Sequence, residues 1–456
     1  MKLQALLPLA FVALACSREG AGSSSAAAPH EVRAGASAAS TPDASAESQL
    51  PPRARPNDPE LVRLRAALEF GRLDEVRTLL PAAAKAPDEE GELAARALAL
   101  EGKLLDALRR LEGERTARPK DPAVYAALAE LYGGEQKFET AWSELKRGDE
   151  ACGPSAELAR ARGVLWILRE GGAKKGLEFL ERARKADPAL AFADRALAQA
   201  HLLLAKQFAK AEDLAHARAE VDASLRFDAV DVDALRLQAD LQAAAGDFTH
   251  ALATLEGLCK AGEPLGAELA LLYKKGAFGA LLVKNHALAV ERFAKARALG
   301  LSDPELSSGV EILAEEARAR RDAGVAAYEK GDLAAAEAAF RGALECDPGD
   351  LAAQNHLAVV RFKRDDFAGA AELWRKVLEG AKREQLELPE PVHVNLAKAL
   401  VQSGAPAEAR AVLTAYLAAE PEGRFAAATR TLLERISDAG RAETAPLPVD
   451  SPREPR

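Results

Sequence analysis

Residues 324–348 read GVAAYEKGDLAAAEAAFRGALECDP and combine small, large and helix-ending residues in a fixed order. Gly324 and Ala336 are small where two antiparallel helices of one unit must cross closely. Phe340 fills the space beside this crossing. Pro348 disfavours helix at the residue before it and cannot donate a backbone N–H. The stretch therefore predicts a helix-turn-helix unit that ends near residue 348.

The same residue types recur at nearly the same spacing along most of the chain. The fitting stretches are 88–121, 122–155, 157–190, 232–265, 270–303, 317–350, 351–384 and 390–423. In several of them a glycine stands seven residues after the first small residue, where a turn must leave the helix: Gly102, Gly246, Gly331 and Gly404. An alanine-rich helical bundle could mimic the small residues, but it does not explain the recurring prolines and turn glycines.

This repeat resembles the tetratricopeptide repeat, a helix-turn-helix unit of about 34 residues. The resemblance implies an all-α fold, a right-handed α-solenoid of about ten such units over residues 57–439. Within stretch 157–190, Val164 and Gly176 hold the positions of the crossing residues.

Three further parts of the array fit the pattern less well. Residues 57–87 are predicted to form an atypical terminal repeat, and 424–439 a capping helix. Between residues 189 and 229, Ala217 marks a second helix, but Ala198 lies seven residues too early to be its partner. We therefore expect an insertion at 206–213, in the turn between the two helices.

The N-terminus has the features of an export signal. Lys2 precedes an apolar stretch, Leu3 to Leu14, which is too short to span a bilayer. The sequence Val-Ala-Leu-Ala-Cys ending at Cys16 resembles a bacterial lipobox, which implies a signal peptide at 1–15 and lipidation of Cys16. An ordinary signal peptide cleaved near Ala15 is the alternative. Ser17 implies sorting to the outer membrane in enterobacteria, while anchoring in a Gram-positive membrane stays open.

Residues 16–56 and 440–456 differ in composition from the rest of the chain. Both segments are rich in small and polar residues or proline and hold few apolar residues, so we expect a disordered tether and a disordered tail. Over the whole chain, 48% of residues are hydrophobic and only 5% aromatic, as expected for alanine-rich helix packing. The formal net charge of −9 disfavours nucleic-acid binding through a basic face.

Residue patterns for catalysis and metal binding are missing from the sequence. The seven histidines form no HExxH pair, and there is no GxSxG or GxxxxGK motif. Cys152, Cys259 and Cys346 are widely spaced and fit packing residues better than a disulfide framework. We therefore predict no enzyme activity, no cofactor and no metal.

Binding of other proteins is the function that the repeat resemblance implies. In tetratricopeptide arrays the first helix of each unit lines the concave face, which commonly receives a peptide or a helix. Helical spacing on these first helices gives the partner-binding candidates Arg318, Arg321, Tyr328, Asn355, His356, Phe362 and Lys398. A merely solvated helix face is the alternative. A clamp for a peptide carboxylate is disfavoured, because Val325 and His356 stand at its asparagine positions.

The sequence thus predicts a membrane-tethered scaffold or adaptor of the bacterial cell envelope, on the periplasmic face of the outer membrane. Its partners would be other proteins, together with the membrane through Cys16. An accessory subunit of exopolysaccharide export or of secretion or pilus machinery is a second interpretation. An enzyme that uses the repeats as a substrate arm is a third, although no residues are left for a catalytic domain.

Overall fold

The computed structural model describes residues 58–85, 87, 89–387 and 391–438. The predicted signal peptide at 1–15, Cys16, the tether at 16–56 and the tail at 440–456 lie outside these residues. The regular structure of the described part is entirely helical, with 21 α-helices and one 3-10 helix. The predicted all-α fold class is therefore confirmed. No helix in this part is both long enough and apolar enough to cross a membrane.

The chain divides into two compact units between Ala245 and Gly246, which are described separately. Unit 1 contains α1 (Pro59–Glu69), α2 (Leu73–Leu79), the 3-10 helix (Leu80–Lys85), α3 (Glu90–Leu100), α4 (Leu104–Ala117), α5 (Pro122–Gly134), α6 (Phe138–Cys152), α7 (Ala156–Ile167), α8 (Ala173–Ala186), α9 (Asp194–Lys210), α10 (Leu214–Phe227) and α11 (Val232–Ala244). Unit 2 contains α12 (Phe248–Lys260), α13 (Gly266–Leu282), α14 (His286–Ala298), α15 (Pro304–Glu329), α16 (Leu333–Cys346), α17 (Leu351–Lys363), α18 (Phe367–Glu384), α19 (Val392–Gln402), α20 (Pro406–Ala419) and α21 (Ala426–Asp438).

Consecutive helices pack as pairs within each unit. In unit 1, α3 packs on α4, α5 on α6, α7 on α8 and α9 on α10, while the first helices α1, α3, α5, α7 and α9 also contact one another in sequence. In unit 2, α13 packs on α14, α15 on α16, α17 on α18 and α19 on α20. Each pair is one helix-turn-helix repeat, as the sequence pattern predicts.

The turns inside the pairs have a shared local cause. The predicted turn glycines all adopt left-handed backbone, for instance Gly331 with φ of 80°. The next residue, Asp332, caps α16 because its Oδ1 accepts a hydrogen bond from the N–H of Ala335 at 3.0 Å. Other pairs place Gln136 or Asp365 in the same left-handed position, with φ of 59° and 62°.

Small residues lie at the helix crossings where the sequence predicts them. Ala336 is fully buried, and a Cβ atom on Gly324 would lie 2.6 Å from Cε1 of Phe340. The close approach of α15 and α16 therefore depends on the absence of that atom. The corresponding alanines of other pairs are also fully buried: Ala95, Ala107, Ala129, Ala141, Ala277, Ala289, Ala358, Ala370, Ala397 and Ala409.

The α7–α8 pair corrects one assignment. Val164 is only partly buried, and the close crossing is made by its neighbour Gly163. A Cβ on Gly163 would lie 2.6 Å from Cγ of Leu180 and 3.0 Å from the carbonyl oxygen of Gly176. Five residues, 168–172, connect α7 to α8, where three connect α5 to α6. Gly163 therefore stands thirteen residues before Gly176, whereas Gly324 stands twelve before Ala336.

The insertion expected at 206–213 is wrong. Helix α9 continues to Lys210, and three residues connect it to α10, as between α5 and α6. Ala205, rather than Ala198, stands twelve residues before Ala217, and both are fully buried in one cluster. The additional residues lie in a longer α9 and in the connection 187–193, which has seven residues where α10 and α11 are joined by four.

The ends of the array and α15 complete the fold. In α1 and α2, Leu64 and Val76 stand twelve residues apart, at the positions that small residues hold in other pairs, and both are buried. Helix α21 stands where the capping helix is expected, and its Leu432 and Ile436 join the core of unit 2. Helix α15 has 26 residues and begins at Pro304, so the residues before the predicted unit at 317–350 extend its first helix.

Candidate partner-binding site

Two of the predicted partner-binding residues belong to the core of unit 2. Asn355 is 4% exposed, and its Oδ1 accepts a hydrogen bond from Nε1 of Trp374 at 2.8 Å. Phe362 is 6% exposed, and its ring lies 5.0 Å from the ring of Phe367. Asn355 and Phe362 are therefore covered by neighbouring helices of unit 2, and a role for them in lining a peptide groove stays a prediction.

His356 packs against an aromatic ring and lies near a pair of charged side chains. Its ring stacks on Phe340 with centroids 5.1 Å apart and an interplanar angle of 8°. Burial, together with the charge of Arg321, lowers the pKa of His356 to about 4. Arg321 itself donates a hydrogen bond from Nη1 to Oδ2 of Asp350 at 2.8 Å. Both side chains thus make contacts within unit 2, and their role in partner binding stays a prediction.

The remaining predicted residues do not converge on one surface feature. Arg318 is exposed and donates from Nε to the carbonyl oxygen of Ala314. Tyr328 is half-buried, with Nζ of Lys363 4.6 Å from its ring centroid. Lys398 is also half-buried. A role for these three in partner binding stays a prediction.

Unit 1 contains a cavity that lies between its first helices. Its volume is about 130 Å³, and α1, α3, α5, α7 and α9 all contribute to its walls. The lining residues are Leu68, Glu69, Arg96, Ala99, Leu100, Ala127, Glu130, Leu131, Val164, Ile167, Phe192, Arg195, Ala196 and Gln199. The cavity thus brings apolar side chains together with two acidic and two basic ones.

Buried ion pairs fix one side of the cavity. Arg96 donates to Glu92 and to Glu130, and Arg160 donates from Nε to the other oxygen of Glu130, each at 2.9 Å. Burial disfavours the charge of Arg96, but the carboxylates of Glu130 and Glu92 raise its pKa above the ordinary value. Because Arg160 is only 1% exposed, this network belongs to the interior of unit 1.

The first and last of these helices meet on the opposite side. Oε1 of Glu69 on α1 accepts a hydrogen bond from the backbone N–H of Arg195 on α9 at 2.9 Å. Nη1 of Arg195 donates to the carbonyl oxygen of Glu69 at 3.0 Å. Burial raises the pKa of the Glu69 carboxyl and lowers that of the Arg195 guanidinium. These contacts join residues 126 positions apart in the sequence and connect α1 directly to α9 beside the cavity.

The connection 187–193 supplies the aromatic wall. Phe192 has a left-handed backbone, with φ of 61°, and Cζ of Arg96 lies 4.0 Å from its ring centroid. Nη1 of Arg160 donates to the carbonyl oxygen of Ala191 at 2.6 Å. The seven-residue connection is therefore anchored to the same ion-pair network.

The sequence analysis did not predict this cavity, although part of it is visible in the repeat pattern. Arg96 and Glu130 each follow the first small residue of their unit, Ala95 and Ala129, by one position. Opposite charges at one repeat position of successive units face each other when first helices stack. Glu69 and Arg195 carry no comparable signal, because nothing local relates α1 to α9.

Other reactive groups in the described part do not form a site. No group of three or more His, Cys, Asp or Glu side chains there could hold a metal ion. Burial raises the pKa of Cys152 to about 11, so its thiol is protonated at neutral pH. Cys346 is buried, and burial raises the pKa of its thiol as well.

Comparisons with known proteins give similarity to solved structures only. No protein-family model matches this sequence, and no curated protein is significantly similar to it. PilW, a widely conserved type IV pilus biogenesis factor, is 21% identical, with 49% of this chain and 98% of that chain covered and a TM-score of 0.33.

Two further solved structures are similar over about half of the chain. The TPR2AB domain of yeast Sti1, in a pHSP90 complex, is 17% identical over 53% of this chain and 98% of that one, with a TM-score of 0.25. A tetratricopeptide repeat protein from Parabacteroides merdae is 17% identical over 55% and 96%, with a TM-score of 0.27. At these identities and TM-scores the likeness carries no information about function.

Proposed function

We propose that the protein is a protein-protein interaction scaffold and that it receives a segment of its partner at the unit 1 cavity. The observation that carries this proposal is the convergence of five first helices on one cavity. A partner segment held there contacts several repeats at once, which gives both affinity and orientation. The scaffold role is a binding function without catalysis.

The walls of the cavity suit recognition of a protein segment. Partly exposed apolar side chains such as Ala99, Leu100 and Val164 supply surface whose removal from water favours binding. Arg195 and Gln199 add polar groups that can fix the direction of an entering backbone. The buried pairs of Arg96 with Glu92 and Glu130 keep the helices in place, so little ordering cost is expected on binding.

A pair of substitutions tests this site. Ala99→Leu places a larger side chain into the cavity, while Ala117→Leu makes the same change at an exposed position of α4. Proteins that co-purify with the wild-type chain from the native envelope should be depleted in Ala99→Leu and retained in Ala117→Leu. Equal recovery with both variants, at equal thermal stability, would contradict partner binding at the cavity.

We further propose that Cys16 is lipidated and tethers the scaffold to the cell envelope, on the periplasmic face of the outer membrane. The support is the sequence that precedes Cys16, with its short apolar stretch after Lys2. Cys16→Ser should move the protein from the membrane fraction to the soluble fraction, with Cys152→Ser as the matched control. Unchanged fractionation of Cys16→Ser would remove the tether from the proposal and leave the cavity unaffected.

A further inference from the structure

A strained residue stands at the wall of the unit 1 cavity. Phe192 adopts left-handed backbone, which is unfavourable for a bulky side chain. The other non-glycine residues with positive φ in the described part are all polar: Gln136, Glu212, Lys284, Asp365 and Gln385. Such a conformation persists only where its surroundings hold it, and it is found most often at functional sites.

The surroundings of Phe192 hold it firmly. Leu190, two residues earlier, is 3% exposed and packs in a buried cluster with Ala159 and Ala183. The carbonyl oxygen of Ala191 accepts the hydrogen bond from Arg160. The Phe192 ring packs against the cluster formed by α1 to α3. The aromatic ring is thus a fixed wall of the cavity rather than a mobile cover.

The cavity has the size of one aromatic ring. Its volume of about 130 Å³ is close to that of apolar protein cavities of roughly 150 Å³ that accept benzene. The side chains of Leu131, Val164 and Ile167 form an apolar wall from α5 and α7. A longer or branched polar group would leave these side chains without a matching surface.

The charges around the cavity favour an aromatic guest over an aliphatic one. An aromatic ring has a negative face and a positive edge, so it can use both cations and carboxylates as neighbours. The cavity offers both, from Arg96 and Arg195 and from Glu69 and Glu130. Arg96 already makes this kind of contact with Phe192. An aliphatic side chain of the same size gains nothing from these groups.

We propose that the unit 1 cavity is an acceptor for a single aromatic side chain of a partner segment and that Phe192, together with the charged groups beside it, sets this specificity. This inference rests on the proposed function, because it names the anchor by which the partner is held. It adds a chemical class to the partner: a protein segment that presents an aromatic side chain, in a site too small for a second one.

Binding of small probes to the purified full chain tests the inference. The probes are N-acetyl-L-phenylalanine amide and, as the aliphatic control, N-acetyl-L-leucine amide, followed by ligand-observed NMR. We expect the phenylalanine amide to bind about fivefold more tightly, as one favourable aromatic contact would give. In Phe192→Leu this preference should weaken, because the contact with the Phe192 ring is lost while the charged groups remain, and the leucine amide should bind as before. Equal affinities of the wild type for the two amides, or no binding of either, would overturn the inference.

Two blocking variants locate the binding. Ala99→Leu, or Gln199→Phe if the first does not fold, should weaken the phenylalanine amide about tenfold or more by filling the cavity, and Ala117→Leu should not. Undiminished binding in a folded blocking variant would place the probe elsewhere and refute the assignment. If partners still depend on an open cavity while the phenylalanine amide does not bind, the aromatic specificity fails and the scaffold function stands. If the phenylalanine amide binds at the cavity but partner recovery does not depend on an open cavity, the scaffold function fails and the aromatic specificity stands.

Discussion

The substitution Gly324→Ala directly tests the close crossing of α15 and α16. In Gly324→Ala the new Cβ would lie 2.6, 2.8 and 2.9 Å from three ring atoms of Phe340. Phe340 is 1% exposed and stacked on His356, so its ring has little room to move. Overpacking of this kind costs about 1–3 kcal/mol, from which a gain of up to about 1 kcal/mol in helix propensity must be subtracted. The net expectation is a loss of about 0–3 kcal/mol.

Gly257 provides the matched control within the same unit. It lies in α12, is exposed, and a Cβ added there would meet nothing within 4 Å. Gly257→Ala should therefore raise the free energy of unfolding by up to about 1 kcal/mol. The two variants should differ by about 1–3 kcal/mol in urea unfolding followed by far-UV circular dichroism.

A second background separates the clash from other effects. In Phe340→Ala the ring atoms near Gly324 are gone, so adding Gly324→Ala should then stabilise the protein relative to Phe340→Ala alone. Equal stabilisation by Gly324→Ala and Gly257→Ala in the wild-type background would refute the close crossing of α15 and α16.

Three other substitutions probe the interior. Glu130→Gln should cost about 3–5 kcal/mol of unfolding free energy, because it leaves the charge of the buried Arg160 uncompensated. The control Asp106→Asn removes one partner of an exposed pair and should cost about 0–1 kcal/mol. Similar losses in the two variants would argue against the buried network. Ala336→Leu should cost about 1–3 kcal/mol, and unchanged melting would contradict its place at the crossing. The folded pKa of His356, about 4, lies below its ordinary 6.5, so the unfolded chain binds more protons between these values and stability falls as pH drops through them. His356→Phe should remove about 1–3 kcal/mol of this pH dependence, and an unchanged profile would show that His356 is not buried.

The periodic part of the fold could be predicted because one residue position has one physical task in every pair. Alanines such as Ala129 and Ala358 are fully buried where the spacing places them, and Gly331 has the left-handed backbone that its turn requires. These are local constraints within about 34 residues. Two predictions were wrong, namely Val164 as the crossing residue and the insertion at 206–213. Both lie where a turn or a connection between helices changes length.

The binding site could not be predicted to the same extent. Helical spacing places Asn355 and Phe362 on one face of α17, but it does not say whether a neighbouring helix covers that face. The cavity depends on contacts between α1 and α9, whose residues Glu69 and Arg195 are far apart in sequence. It also depends on Phe192, in a connection that departs from the repeat and therefore lies outside any periodic pattern.

Photocrosslinking at the cavity tests the proposed scaffold function most directly. Leu100 lines the cavity, whereas Leu105, five residues later on α4, is 70% exposed and lies outside the set of lining residues. A diazirine analogue of leucine at either position changes the side chain little, so both proteins should fold alike. In native cells we predict discrete protein adducts when the analogue is at position 100. These adducts should be absent when the analogue is at position 105. They should also be absent when the analogue is at position 100 of the Ala99→Leu variant. Adducts that are equal at both positions, or missing at position 100, would contradict partner binding at the cavity.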